Sequence, residues 1–231
     1  GTNGKIKVGD NSVAIYSNGQ YASSASPTIT LASGSLIEIG KNQSVGVFTT
    51  GKNQNISSQA DMKIGDNSFG YVLKGRGTKL TTSATNPVTV GNDTVFIYST
   101  DTTGNIENRT RLTSTGNKNY GIYAAGNVTN LADMDFSSGV GNVGMYSISG
   151  GKIVNGSSTV NPTIKVGSTD KVNKLYGIGM VAGYTDDKGN VIQTGIVENY
   201  GTIKVDKTDS IGMYATGSGS KAINRGTIEL S

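Results

Sequence analysis

Residues 6–16 of the chain have the sequence IKVGDNSVAIY, and residues 62–72 repeat this pattern as MKIGDNSFGYV. The two copies begin 56 residues apart, which is too long a distance for a hairpin. Triplets with apolar outer positions, except for Ser114, and a polar middle position recur between and beyond them, as expected for strands with one buried face. Their eight intervals cover 222 residues, so the period is close to 28; the triplets begin at Ile6, Ile37, Met62, Val88, Leu112, Met134, Ile164, Ile203 and Ile228.

Each repeat also carries a second strand after the turn, as at residues 13–16 and 95–98, and several carry a third strand before the triplet. The segments between these strands are too short for helices, and a unit of this size cannot bury its apolar face alone. Stacked coils solve the problem, since equivalent strands then pair about 4.8 Å apart. The sequence therefore predicts an all-β fold, a parallel β-helix of eight to nine coils about 40 Å long.

Three further columns of equivalent residues support this prediction. An aromatic column is broken at Val72 and around Gly179, and an asparagine column offers amides for hydrogen bonds between coils. In an outward column, several vertical neighbours have opposite charges. The aromatic column contains Tyr16, Phe48, Tyr98, Tyr123, Tyr146 and Tyr214; the asparagine column contains Asn108, Asn130, Asn199 and Asn224, with Ser58 in an earlier copy.

The repeated GDNS segment is predicted to be the turn between the first and second strands of a coil. We expect Gly9 and Gly65 to adopt the left-handed conformation, and Asp10 and Asp66 to accept hydrogen bonds from the local backbone. A glycine or small residue also recurs within the second strand, where a tight bend or close backbone approach leaves no room for a Cβ.

Composition excludes several classes of function. The chain has 231 residues with 34 glycines, 3 prolines and a net charge of +4, and its basic residues are scattered, so nucleic-acid binding is not expected. It has neither cysteine nor histidine, which excludes disulfides, thiol chemistry and a histidine base. No cofactor, metal ligand set or catalytic residue is predicted. The sequence shows no signal peptide or membrane anchor, and we expect it to be an internal segment of a longer protein.

Residues 199–205, NYGTIKV, followed by SIGMYA at 210–215, carry a family resemblance that covers nearly the whole chain. This combination resembles the passenger repeats of large, monomeric type V autotransporter adhesins of Gram-negative bacteria, particularly the fusobacterial RadD-like group. The resemblance implies a right-handed β-helix, with residues 1–231 as one segment of a longer passenger domain. It also implies export through a C-terminal barrel that this sequence lacks, and display of a monomer on the outer membrane. The implied partner is a protein or glycan on a host cell or another bacterium.

The period stretches at loop excursions predicted near residues 17–34, 73–86, 167–175 and 183–195. The last excursion has alternating residues around Asp-Asp-Lys-Gly-Asn and is predicted to be a projecting hairpin. Loops on a rigid scaffold often carry recognition, so two of them are candidate adhesive sites. The first comprises Tyr184, Asp186, Asp187, Lys188, Asn190 and Gln193; the second is basic and comprises Lys74, Arg76 and Lys79.

Other interpretations of the same residues stay open. Asp133 and Asp135 lie on one strand face, as paired carboxylates do in polysaccharide-degrading β-helix enzymes, although a variable solvated face is the favoured explanation. The GDNS turns could bind calcium, but each supplies one carboxylate. NSVAI at residues 11–15 also resembles units of trimeric autotransporter heads, whose coils need trimer contacts. A pure structural spacer is the remaining alternative.

Overall fold

A computed structural model describes residues 4–19 and 28–230, and these residues form three parallel sheets that wind into a solenoid. Successive strands belong to successive sheets, so every third strand returns to the same sheet one coil further along. The predicted parallel β-helix is therefore confirmed. The strands of sheet A are β1 (Lys5–Lys7), β4 (Leu36–Ile39), β7 (Asp61–Ile64), β10 (Val88–Val90), β13 (Leu112–Ser114), β16 (Met134–Asp135), β19 (Thr163–Lys165), β24 (Thr202–Val205) and β27 (Thr227–Leu230).

Sheets B and C contain eight strands each. Sheet B consists of β2 (Val13–Asn18), β5 (Val45–Lys52), β8 (Phe69–Arg76), β11 (Val95–Ser99), β14 (Tyr120–Ala124), β17 (Val143–Ser147), β20 (Ile178–Ala182) and β25 (Ile211–Ala215). Sheet C consists of β3 (Thr28–Leu31), β6 (Asn55–Ser58), β9 (Lys79–Thr82), β12 (Asn105–Asn108), β15 (Asn127–Asn130), β18 (Lys152–Asn155), β23 (Ile196–Asn199) and β26 (Lys221–Asn224). A separate antiparallel hairpin pairs β21 (Tyr184–Thr185) with β22 (Val191–Gln193).

The core is a set of stacked columns, one from each sheet. In sheet A the predicted inward column is in direct register from Ile6 to Ile228, and its central members are at most 4% exposed. Burial of one such side chain contributes roughly 1.5–3 kcal/mol to folding. Because the coils repeat the same contacts, one continuous apolar core runs along the solenoid.

The asparagine column is also confirmed, and it is longer than predicted. The amide of Asn108 donates to Asn130 at 2.7 Å, Asn130 donates to Asn155 at 2.8 Å, and Asn155 donates to Asn199 at 2.9 Å. The predicted series omits Asn155, because a longer turn separates it from the next sheet A strand. These amides are fully buried, and their mutual hydrogen bonds compensate for the lost contact with water.

The GDNS turn lies where predicted, but its local geometry differs from the prediction. The left-handed residues are Asn11 and Asn67, each with φ of 52°, and not the glycines. Asparagine tolerates this conformation better than most residues. Gly65 is required for a different reason, since a Cβ there would lie 2.6 Å from the carbonyl oxygen of Gly40.

The aspartates of these turns bond between coils and not locally, in contrast to the prediction. Asp10 accepts from the backbone N–H of Lys41 at 2.8 Å, and Asp66 accepts from that of Asn92 at 3.0 Å. The turns of successive coils stack with little offset, so each aspartate carboxylate faces the backbone of the next coil. GDNS is therefore a stacking element as well as a turn.

Candidate binding surface

The outward face of sheet B is apolar, unlike the outward faces of sheets A and C. Two columns of side chains cover it, and both follow the strand register. The first column is Val13, Val45, Phe69, Val95, Tyr120, Val143, Ile178 and Ile211. The second is the aromatic column: Tyr16, Phe48, Val72, Tyr98, Tyr123, Tyr146, Val181 and Tyr214. We call these two columns together the aromatic face.

The rings of the aromatic face stack along the solenoid axis. Tyr98 and Tyr123 lie with ring centroids 5.7 Å apart and nearly parallel, and Tyr123 and Tyr146 lie 4.9 Å apart. Such spacings are in the favourable range for aromatic pairs. At the ends of the column, Tyr16 is 57% exposed and Tyr214 is 44% exposed. The rings therefore stabilise one another, and the rings between the two ends are partly exposed while Val72 and Val181 are buried.

The pKa values of tyrosine hydroxyls in this stripe reflect their burial. Burial raises the pKa of Tyr120, and the charge of Asp93 raises it further. Burial also raises the pKa of Tyr146, with added repulsion from neighbouring tyrosines. The hydroxyl of Tyr146 donates to the carbonyl oxygen of Gly183 at 2.9 Å. The hydroxyls of Tyr120 and Tyr146 are therefore uncharged at neutral pH and can act only as hydrogen-bonding groups.

Two grooves open on the aromatic face, and each includes one of the two valines that interrupt the aromatic column. The Val72 groove has a volume of about 490 Å³ and is lined by Val13, Gln43, Val45, Phe48, Asn67, Phe69, Val72, Lys74 and Tyr98. The Val181 groove has a volume of about 380 Å³, and Tyr146 and Tyr214 flank its valine in register. Both volumes lie in the usual range for small-ligand sites.

The Val72 gap arises from an exchange of neighbouring positions within one coil. The adjacent coils place Val47 and Ile97 inward, with Phe48 and Tyr98 outward. This coil places Tyr71 inward and Val72 outward. Tyr71 is 1% exposed, and its hydroxyl donates to the Ser58 hydroxyl oxygen at 2.7 Å inside the core. The aromatic ring of this coil, that of Tyr71, therefore lies in the core and not on the aromatic face.

The predicted hairpin at residues 183–195 is present, beside the end of the aromatic face. Its turn is organised by Asp186, whose carboxylate accepts from the backbone N–H of Lys188 at 2.9 Å and of Asn190 at 2.8 Å. Hydrogen bonds from Asn190, first from its side chain, hold the pKa of Asp186 below its ordinary value. Asp186 and Asn190 are therefore occupied in forming the turn.

The remaining hairpin candidates differ in exposure. Tyr184 is half exposed, Asp187 and Lys188 lie at the exposed turn, and Gln193 is partly buried with its side-chain oxygen unpaired. Beyond the original candidates, Val191 and Ile192 expose apolar side chains on the second strand. Tyr184, Asp187 and Lys188 are the candidates whose side chains are free to contact a partner.

The second candidate loop is not a loop in the structure. Lys74 and Arg76 belong to β8, which pairs with β5 as far as Lys52 opposite Arg76, and Lys79 begins β9. The pairing continues through Gly51 opposite Gly75, which leaves only Gly77 and Thr78 for the turn between β8 and β9. Of the three basic residues, Lys74 lines the Val72 groove.

The other predicted excursions also have definite positions. Residues 167–175 form a loop closed by a bridge between Asp170 and Leu175, and Lys174, Leu175 and Tyr176 border the Val181 groove. The excursion at 17–34 includes the end of β2 and all of β3, and its residues 20–27 lie outside the described part of the chain.

The paired carboxylates of the enzyme hypothesis lie in a shallow groove of about 330 Å³ on sheet A. Asp133 accepts from the backbone N–H of Thr163 at 2.7 Å, and Asp135 pairs with Lys165 at 2.7 Å. Burial would raise the pKa of Asp135, but hydrogen bonds from Lys165 and Ser137 outweigh it and lower that pKa. An ionised carboxylate held by these partners is poorly suited to act as a general acid.

No membrane-spanning helix and no cluster of three metal-ligating side chains occurs in residues 4–19 and 28–230. The GDNS aspartates are separate from one another along the turn column and bond to neighbouring coils. Calcium binding at these turns stays an alternative that the sequence does not favour.

The three parallel sheets define the chain as a parallel β-helix solenoid. Residues 136–231 match a family model described as the BigA third pectate lyase-like domain. No curated protein and no solved structure matches the chain. The match supports a β-helix domain similar to one from a bacterial surface protein, and it does not extend to the RadD-like group. The words pectate lyase-like describe a fold and carry no information on activity.

Proposed function

We propose that the chain is a segment of a bacterial cell-surface adhesin, in which the solenoid is a rigid stalk and the aromatic face contacts a protein or glycan on another cell. The observation that carries the proposal is the aromatic face itself. Soluble proteins rarely expose a long contiguous apolar stripe unless it contacts a partner or ligand. Aromatic side chains are also enriched at the energetic centres of interfaces.

The finer assignment rests on the sequence resemblance alone: a passenger segment of a monomeric, RadD-like autotransporter adhesin, displayed at the outer membrane and without enzymatic activity. The family match supports only the coarser part of the proposal, a β-helix domain similar to one from a bacterial surface protein. Each coil adds about 4.8 Å to the length of the solenoid, so the distance between the two ends of the stalk grows with the number of repeats. Adhesion and spacing are compatible roles for one solenoid.

The test measures binding of the fluorescently labelled 231-residue chain to host epithelial cells and to partner bacteria. In one variant, Tyr98→Ser is combined with Tyr123→Ser, which removes two central rings from the aromatic face. The matched control combines Glu107→Ser with Thr129→Ser, which lie in register on the outward face of sheet C. We expect the tyrosine variant to lose at least 10-fold in cell binding and the control to bind normally.

In a second variant, Asn-Gly replaces residues 184–193. This variant distinguishes the contribution of the hairpin to cell binding from that of the aromatic face. If only the hairpin variant loses binding, the adhesive site is the hairpin and the proposed face is wrong. If the unmodified chain binds no cell type tested, the segment is a spacer. Circular dichroism of every variant shows whether the β-helix has formed.

The enzyme alternative has a direct assay. A polysaccharide lyase acting on polygalacturonate produces unsaturated ends that absorb in the ultraviolet, and a hydrolase produces reducing ends. We expect neither product. Turnover that disappears in Asp133→Asn and Asp135→Asn variants would replace the adhesin proposal with an enzyme of the sheet A groove.

A further inference from the structure

We propose that the Val72 groove binds a single pyranose unit that carries a carboxylate, such as a uronic acid at the end of a surface glycan. The inference rests on the proposed function, because it names the ligand class of the same aromatic face. It follows from three features of the groove: a ring-sized gap, polar groups at one end and an unpaired cation at the other.

The gap has the size of one ring. Phe48, Val72 and Tyr98 are in direct register, so the two aromatic residues lie two coil steps apart, or about 9.6 Å. A ring placed midway would have an aromatic neighbour at about 4.8 Å on each side, which is a normal stacking distance. The native column uses the same spacing between Tyr123 and Tyr146, at 4.9 Å. Val72 is 6% exposed and forms the bottom of the gap.

The polar groups of the groove suit the hydroxyls of a sugar. Gln43 and Asn67 border it from the turns that precede β5 and β8, and both are exposed. Their amides can donate and accept, which is what a ring of hydroxyls requires. An apolar floor and walls with a few polar groups at the margin are typical of small-molecule sites.

Charge selects the acidic sugar over the neutral one. Lys74 lies two residues beyond Val72 on the same strand, borders the groove and makes no ion pair with any described residue. No acidic residue is among those that line the groove within the described ranges. A bound carboxylate would therefore meet a lysine without competition from a protein carboxylate.

A second interruption of the aromatic face does not share this chemistry. Val181 lies between Tyr146 and Tyr214 in register, and Lys174 borders that groove from the loop at 167–175. Asp93 also lines the groove, so a bound carboxylate would meet an acidic side chain there. The proposal is therefore confined to the Val72 groove.

The experiment titrates the 231-residue chain with methyl β-glucuronide and methyl β-glucoside, which differ in the carboxylate, and follows binding by ligand-observed NMR. We expect the glucuronide to bind at least 5-fold more tightly. Val72→Tyr fills the gap with the residue found at Tyr98 and Tyr123, and should reduce glucuronide binding at least 10-fold. Val72→Ala keeps the gap open and should retain binding.

The charge is tested separately. Lys74→Gln should reduce binding of the glucuronide to that of the glucoside, whereas Lys79→Gln, the same change outside the groove, should alter neither. Equal binding of the two glycosides by the unmodified chain, or unchanged glucuronide binding by a folded Val72→Tyr variant, would overturn the inference.

Failure of this inference is distinguishable from failure of the proposed function. If cell binding depends on Tyr98 and Tyr123 but neither glycoside binds, the face is adhesive and its ligand is not an acidic pyranose. If the glucuronide binds as expected but no cell does, the groove is a saccharide site and adhesion by this segment is wrong.

Discussion

At the scale of single residues, the asparagine column shows how the solenoid tolerates fully buried amides. Asn130 accepts from Asn108, and donates both to Asn155 and to the carbonyl oxygen of Ala132 at 2.8 Å. Each amide thus has partners above, below and within its own coil. Removal of one asparagine side chain therefore leaves the amides of its two neighbours in the column with unsatisfied hydrogen-bonding groups in the core.

Asn130→Ala should therefore lower the free energy of unfolding by about 2–4 kcal/mol, since unsatisfied buried groups cost about 1–3 kcal/mol each. Urea denaturation followed by circular dichroism measures the change. Asn127→Ala on the same strand, at an exposed position, should change stability by less than about 0.5 kcal/mol. Equal effects of the two substitutions would show that the column contributes nothing specific.

Glu198 is the most strongly held carboxylate described. It is 3% exposed and pairs with Lys152 at 2.7 Å and with Arg225, while Tyr200 donates to it at 3.2 Å. Hydrogen bonds from Lys152 and then Arg225 lower the pKa of Glu198 to about 2 from its ordinary value of 4.5. The folded state thus favours the ionised form.

This shift predicts a pH-dependent contribution to stability. The contribution is fully present above about pH 4.5 and is lost as the pH falls towards about 2. Because Lys152 and Arg225 are half exposed, we expect a loss of only about 1–2 kcal/mol for Glu198→Gln at pH 7.

The measurement compares urea unfolding of the two proteins from pH 2 to pH 7. The difference in the free energy of unfolding between the unmodified chain and Glu198→Gln should shrink on acidification. A difference that stays constant over this range would contradict ionisation of Glu198 as its cause. Glu107→Gln, in an exposed pair with Arg109, is the control and should show little effect at any pH.

At the scale of the strands, a column of glycines sets how closely the coils approach in sheet B. A Cβ on Gly46, Gly70, Gly121, Gly144 or Gly179 would lie 2.5–2.7 Å from a carbonyl oxygen of the next coil. These glycines are required by contact and not by an unusual dihedral angle. The recurrence of small residues in the second strand, noted from the sequence, has this cause.

Gly144→Ala should destabilise the protein by about 1–3 kcal/mol, because its Cβ would meet the Gly179 carbonyl oxygen at 2.5 Å and the Ile164 side chain at 3.0 Å. Gly9→Ala is the matched change, since nothing lies within 4 Å of a Cβ there, and it should be nearly neutral. Thermal unfolding measures both. A neutral Gly144→Ala would mean that the coils can separate locally at no cost.

The regularity of the repeat determines which features of the fold the sequence could predict and which it could not. The period, the inward column of sheet A and the asparagine stack other than Asn155 follow from spacing, because each keeps a constant offset from the repeated triplet. The aromatic face does not, since Val95 and Tyr98 are three residues apart and yet both face outward. Simple alternation fails at the bend around residue 96, so the sequence alone does not place the tyrosines on the surface.

The candidate sites show the same limit. The hairpin is predictable from its turn residues, whereas the Val72 groove depends on residues from four strands that only the register brings together. Lys74 could be singled out as basic but not as the rim of a groove. The useful signal in the sequence is the interruption of the aromatic column at Val72.

At the scale of the whole molecule, the three-sheet solenoid closes its core within one chain. The apolar residues of all three sheets meet in a continuous core, and no second copy is needed to cover it. We therefore expect a monomer of 23.8 kDa by light scattering coupled to size exclusion, with an elongated profile in small-angle scattering. A stable trimer would favour the trimeric head instead.

The direction of the pairing between coils determines how the segment would respond to force. Hydrogen bonds between equivalent strands run along the solenoid axis, so tension applied between the two ends would pull successive coils apart in sequence instead of shearing a whole sheet at once. Each released coil of about 28 residues would lengthen the tether by roughly 90 Å. If the segment is the stalk proposed above, it would yield stepwise under shear flow and so limit the load on the adhesive bond.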